Sequence, residues 1–264
     1  MDEVIIQGKR AIAYFDILGF KNRINNTPFD ILSATYEKLI KNTDGEFAIM
    51  DGIITNKQVC FRYVFSDSLF LVAKEDTEES FIDMLSYAWR MMQLFIASGF
   101  PLRGAVTYGE IYANIEKSIF LGKAISEAVI LEAQQDWIGA VVDLPVINRY
   151  EAIFKRDDIL SIIMNVILPI HDVPFKDGTC KDYHVINWRQ NMISEDGIKA
   201  LFKNEPFDEN VQKKINNTLR FSKEVVDAHI AYFNDNLVPE KYRRFYIGHK
   251  VPSGTQMFTN GDEY

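Results

Sequence analysis

The chain has 264 residues, 47% hydrophobic and 25% charged, an ordinary profile for a soluble globular protein. Its formal net charge of -8 speaks against sequence-independent nucleic-acid binding, which needs clustered Lys and Arg. A nucleotide substrate stays open, because metal ions can supply the positive charge.

Residues 10–17 read as an apolar strand, with Gly19 marking its exit. Apolar spacing at Ile31, Leu32, Tyr36, Leu39 and Ile40 predicts a helix over Phe29–Lys41, and Asp44-Gly45 and Asp51-Gly52 read as turns. Residues 59–66 and 69–73 read as a hairpin joined at Ser66-Asp67-Ser68. Glu78–Ser98 is an amphipathic helix closed by Gly99 and followed by Pro101. Leu102–Tyr112 reads as a strand in which Gly104 and Gly109 mark a bulge or a close approach. A helix over Ala124–Gln135 and a short buried strand over Ile138–Val142 follow. Residues 145–170 look helical, Tyr183–Trp188 looks like a strand, and Asp208–Asn234 looks like one or two helices.

This order predicts an α+β fold, a β-α-β-β-α-β core with an antiparallel sheet and helices packed on one face. We expect a single domain over residues 1–264, with the core at about 10–143 and a C-terminal helical extension at about 144–264. The two cysteines, Cys60 and Cys180, form no CxxC or zinc spacing, and Cys60 reads as a buried small hydrophobe. A reducing cytoplasm fits best. The start MDEVIIQGKR lacks the pattern of a signal peptide, and the greasiest stretch, residues 159–170, is too short to span a bilayer, so no membrane insertion is expected.

Asp16 and Asp67 are the residues that point to chemistry. Each lies in an apolar strand-like run, where an acid is costly to bury unless something pairs with it. Alone, either acid reads equally well as the end of a strand or the cap of a turn. Together, on neighbouring strands, they suggest a shared cation. Hard divalent ions prefer carboxylate oxygens and substrate phosphates, and paired metals suit phosphoryl chemistry.

Phe15-Asp16-Ile17-Leu18-Gly19-Phe20 resembles the first metal motif of the class III nucleotidyl cyclases, and Ser66-Asp67-Ser68 resembles the second. The run from Leu102 to Glu110 is similar to the strand that follows in that family, and the run from Gly122 to Ala133 to its glycine-led helix. The resemblance covers about residues 10–143. It implies a nucleotidyl cyclase fold, with Asp16, Asp67 and the Ile17 carbonyl holding two Mn²⁺ or Mg²⁺ ions per site. It implies metal-assisted attack of a ribose 3′-oxygen on the α-phosphate, with loss of pyrophosphate. Nucleotide contacts are expected from Tyr14, Phe15, Gly19, Phe20, Tyr63, Ile119, Lys123 and Ser126.

The chain departs from the family where transition-state and base-reading residues are expected. Ser126 stands for the usual Asn and Ile130 for the usual Arg. Arg103, Lys123 and Lys21 are the candidate replacement cations, each also readable as structural or solvated. Tyr63 and Ile119 stand where adenylate cyclases place polar base-reading groups, which argues against purine selection. The chain further resembles the pyrimidine cyclases of bacterial Pycsar antiphage systems in Gln135-Asp136-Trp137-Ile138-Gly139 and Val185-Ile186-Asn187-Trp188. That likeness implies UTP, or secondly CTP, as substrate, and a cyclic product that activates a separate effector. The family also implies a head-to-tail homodimer with shared sites. Two alternatives stand beside this reading: a purine cyclase, and a catalytically inactive homologue that binds nucleotide or a partner.

Overall fold

From Ala11 onward, strand β1 (Ile5–Ile17) is mostly apolar on both faces because both are covered. Side chains alternate across a strand, so Ala11, Ala13, Phe15 and Ile17 enter the larger core while Ile12 and Tyr14 enter a second cluster. The computed structural model describes residues 5–50, 59–153, 166–189, 194–203, 205 and 208–233. After β1 come α1 (Phe20–Asn26), α2 (Phe29–Met50), the hairpin β2 (Cys60–Phe65) and β3 (Ser68–Ala73), and α3 (Glu78–Ala97). Then follow β4 (Leu102–Asn114), β5 (Ile119–Gly122), α4 (Lys123–Gln134), β6 (Gly139–Val142) and α5 (Leu144–Arg149). The C-terminal part adds β7 (Ile167–Pro174), β8 (Cys180–Ile186), α6 (Glu195–Ala200) and α7 (Glu209–Phe233).

The strands form one eight-stranded sheet in the order β2-β3-β1-β4-β6-β8-β7, with β5 on β4. Every pairing is antiparallel except that of β4 with β6. The expected α+β class and antiparallel core are therefore present. Helix α3 forms because its apolar residues recur at helical spacing and its start is well capped. Thr77 accepts a hydrogen bond from the Ser80 N–H, and Glu78 and Glu79 sit at the positive end of the helix dipole. Its stripe of Phe81, Met84, Leu85, Ala88, Met92 and Phe95 packs with α2 against the Phe15 face of β1. The helices do not all pack on one face as expected: Ala124 and Ala128 of α4 pack against the opposite, Tyr14 face, because their small side chains lie on the α4 face turned to the sheet.

Gly104 lets β4 lie close to β1. A β-carbon there would stand 2.3 Å from the Phe15 ring and 2.6 Å from the Tyr14 carbonyl oxygen. The C-terminal part continues the same sheet, since β8 pairs with β6 and β7 with β8. Helix α7 is tied on by Thr218, which accepts from the Ile138 N–H at 3.0 Å, and by Phe221, whose ring lies 4.7 Å from that of Trp137.

Three further expectations need correction. Asp44-Gly45 is no turn but part of α2, because the Asp44 carboxylate is held by Arg62 and by the Tyr87 hydroxyl, tertiary contacts that outweigh the cost of a helical glycine. Residues 167–170 are strand, not helix, because Ile167 and Leu168 pair with Ile186 and Val185 of β8 and the ladder resumes at His171. The extension is therefore not purely helical. Asp51-Gly52 and residues 154–165 lie outside the described residues. No helix among the described residues is long and apolar enough to cross a membrane.

Candidate active site

Asp16 is the next-to-last residue of β1 and pairs with Ser68 on one side and Arg103 on the other. Asp67 precedes Ser68 at the tip of the β2–β3 hairpin, so the register brings the two acids side by side. The tip is pinned twice. The Ile17 N–H donates to the Asp67 carbonyl at 3.0 Å, and the Tyr36 hydroxyl of α2 donates to the Ser66 carbonyl at 3.0 Å. Ser66 itself adopts φ 55°, a left-handed conformation uncommon outside glycine.

Among the described residues neither acid makes a side-chain hydrogen bond or ion pair. Burial pushes the Asp16 carboxyl up to about 6, the Glu132 and Asp67 carboxylates push the same way, and Arg103 and Lys176 oppose them. An acid pair left without a partner on a half-buried face is a donor set suited to a hard divalent cation. No group of three or more His, Cys, Asp or Glu side chains arranged for a metal occurs among the described residues. The protein ligands would be Asp16, Asp67 and a backbone carbonyl, with substrate phosphates completing the shell.

Tyr14 shares the face of Asp16, its hydroxyl 3.0 Å from the Ser68 hydroxyl. Its ring lies 4.7 Å from that of Phe70, which pairs across the hairpin with Tyr63. Tyr63 in turn meets Phe120 of β5 at 4.3 Å. An aromatic row thus runs from the acids toward Tyr63, while Ile119 stands 39% exposed at the edge. Gly19 caps α1 with φ 73°, and a β-carbon there would collide with the Glu205 carboxylate.

Other expected contacts are not brought together within one chain. The Phe15 side chain is fully buried on the opposite face, and Phe20 is packed in the core, so only their backbones face the loop. The Ile17 side chain is buried too, leaving its carbonyl for the role expected of it. On α4, Ser126 and Ile130 are exposed one turn apart, and Lys123 is exposed and paired with Glu127 at 3.3 Å. Lys21 is exposed on α1. Arg103 is no free cation: its Nε donates to Glu132 at 2.5 Å, with both side chains buried.

Sequence reasoning missed Glu132 and Lys176. Glu132 follows Ala124 and Ala128 at four-residue intervals, so it lies on the buried face of α4, a signal readable from the spacing. Lys176, in the turn between β7 and β8, acts on both Asp16 and Glu132, and burial lowers its own pKa.

No family model and no curated protein matches the chain. Among solved structures it is similar to the adenylyl cyclase CyaB from P. aeruginosa, with 14% identity, 71% of this chain and 98% of that chain covered, and a TM-score of 0.45. It is similar to the guanylate cyclase domain of RhGC from Catenaria anguillulae, solved with GTP, with 14% identity, coverage of 70% and 98%, and a TM-score of 0.45. The catalytic core of a rhodopsin-guanylyl cyclase with converted specificity, in complex with ATPαS, gives 14% identity, coverage of 70% and 98%, and a TM-score of 0.48.

Proposed function

We propose that this protein is a nucleotidyl cyclase acting on a pyrimidine ribonucleoside triphosphate, UTP first and CTP second. The observation that supports the reading is the pair Asp16 and Asp67, brought to neighbouring strand ends by register and, among the described residues, without a side-chain hydrogen bond or ion pair. Bound Mg²⁺ or Mn²⁺ would neutralise the triphosphate and favour ionisation of the ribose 3′-hydroxyl. Asp16, Asp67 and the Ile17 carbonyl would hold the ions. Tyr14 and the Phe70–Tyr63–Phe120 row would flank sugar and base, offering apolar and aromatic surface. Lys176 carries a positive charge that acts on Asp16, of a kind suited to a phosphate oxygen.

Tyr63 and Ile119 support pyrimidine selection, because neither reproduces the polar pair that adenylate cyclases of the resembling family use. The exposed face of α4 would complete the site of a second copy in a head-to-tail homodimer. The Pycsar likeness extends the reading to an antiphage second messenger acting on a separate effector. A catalytically inactive nucleotide-binding homologue is the second reading, favoured by Ser126 and Ile130 in place of the usual Asn and Arg.

The test is incubation of the purified protein with Mn²⁺ and each of the four ribonucleoside triphosphates separately, with products identified by mass spectrometry. A cyclic pyrimidine monophosphate is the expected product. A cyclic purine product would overturn the base assignment, and no product from any triphosphate would favour the inactive homologue.

A further inference from the structure

Arg103 faces Asp16 directly across the β1–β4 ladder, so their side chains leave the sheet on the same face. A guanidinium so placed has the reach to form a forked ion pair with that carboxylate and neutralise it. It does not do so here. Its Nε donates to Glu132 Oε1 at 2.5 Å, and its Nη1 donates to the Gln135 carbonyl at 3.0 Å. Arg103, Glu132 and Gln135 are 6%, 4% and 0% exposed, so water offers little competition.

Gln135 is itself fixed. Its Nε2 donates to the carbonyls of Gly104 at 2.8 Å and Leu131 at 3.0 Å, and its Oε1 accepts from Trp137 Nε1 at 2.9 Å. The guanidinium is thus held toward the end of α4. A buried ion pair contributes little net stability compared with apolar residues of similar volume. Stability alone therefore gives a weak reason for a charged pair at this place.

We propose that Glu132 is a positioning residue that holds the Arg103 guanidinium away from Asp16, keeping the Asp16 carboxylate open for a divalent cation. Without the Glu132 charge, Asp16 becomes the carboxylate that Arg103 faces, and the arginine competes with the metal. The inference rests on the metal-site reading given above.

Mn²⁺ alone is the probe, titrated into the full chain with free Mn²⁺ followed by electron paramagnetic resonance. Glu132→Gln keeps the shape and removes the charge, and it should weaken Mn²⁺ binding about tenfold or more, the scale of one charge-assisted hydrogen bond. The double variant Arg103→Met/Glu132→Leu removes the competitor as well, and should bind within about threefold of wild type. A structural role predicts the opposite order, with the double change at least as harmful as the single. Unchanged affinity in Glu132→Gln, or weak binding in a folded double variant, overturns the inference. If Glu132→Gln does not fold by thermal melting, the double variant decides alone, retention supporting the inference and loss overturning it. If wild type takes up no Mn²⁺, the metal site fails and the inference falls with it.

Discussion

The Asp16 carboxyl, pushed up to about 6 chiefly by burial, makes the metal-free protein depend on pH in a definite direction. Its folded pKa lies above the ordinary value of 3.8, so its stabilising contribution is full below that value and is lost as pH rises through about 6. Asp16→Asn should therefore raise the melting temperature of the metal-free protein at pH 8, by about 2–4 °C per kcal/mol recovered. The same change should abolish Mn²⁺ uptake, because the amide carries no charge. In wild type, protons compete with the cation below pH 6, so affinity should fall about tenfold for each further unit. A flat Mn²⁺ affinity from pH 5 to pH 7 would count against Asp16 as a ligand. Turnover should drop to background in Asp16→Ala and in Asp67→Ala while circular dichroism stays native; full activity in either removes that acid from the site.

Among the elements, α4 has two different faces. Ala124, Ala128 and Glu132 are buried, whereas Lys123, Ser126 and Ile130 face outward. If the outer face serves a second copy, mixing Asp67→Ala with a chain carrying Ile130→Glu should recover activity, one intact site per mixed dimer. No recovery at any ratio would reject shared sites, provided that each variant alone is folded and inactive. Much of this arrangement was legible beforehand. The acid-bearing strand, the hairpin, α3 and β4 announce themselves through apolar runs, amphipathic helical spacing and Gly, Pro and Ser turn residues. Strand β5 was not, because four residues of Ile-Phe-Leu-Gly carry too little pattern to separate a strand from a loop. Strand β7 failed for a related reason. Val166, Ile167 and Leu168 are all buried, so no polar alternation marks them, and a register shift interrupts the ladder between Leu168 and His171. At the site, the two acids could be read because charge inside apolar strands is conspicuous. The Arg103–Glu132 pair could not, since its meaning depends on a contact between residues 29 apart that only tertiary packing creates.

At the scale of the whole molecule, three well-exposed apolar side chains lie on the hairpin, β5 and α4, elements that carry expected site residues. Phe65 at the hairpin tip is 83% exposed, Leu121 of β5 61% and Ile130 of α4 56%. Burying them against a second copy would remove a cost that an isolated chain carries. Sedimentation at micromolar protein should give the mass of a dimer, and Phe65→Asp should shift it toward the mass of one chain. A single-chain mass for wild type at the concentrations where turnover is seen would set the dimer aside.

The sheet order has a consequence for how the chain is made. Strand β1 emerges from the ribosome before its neighbours β3 and β4, both synthesised later. Glu132 and Gln135 come later again. At the usual pace of translation, roughly a few seconds separate the appearance of Arg103 from that of Glu132. During that interval a nascent chain holding β1 and β4 has Arg103 opposite Asp16 and nothing to draw it aside. On the proposal made above for Glu132, Arg103 would stay with Asp16 in such a chain until α4 is complete.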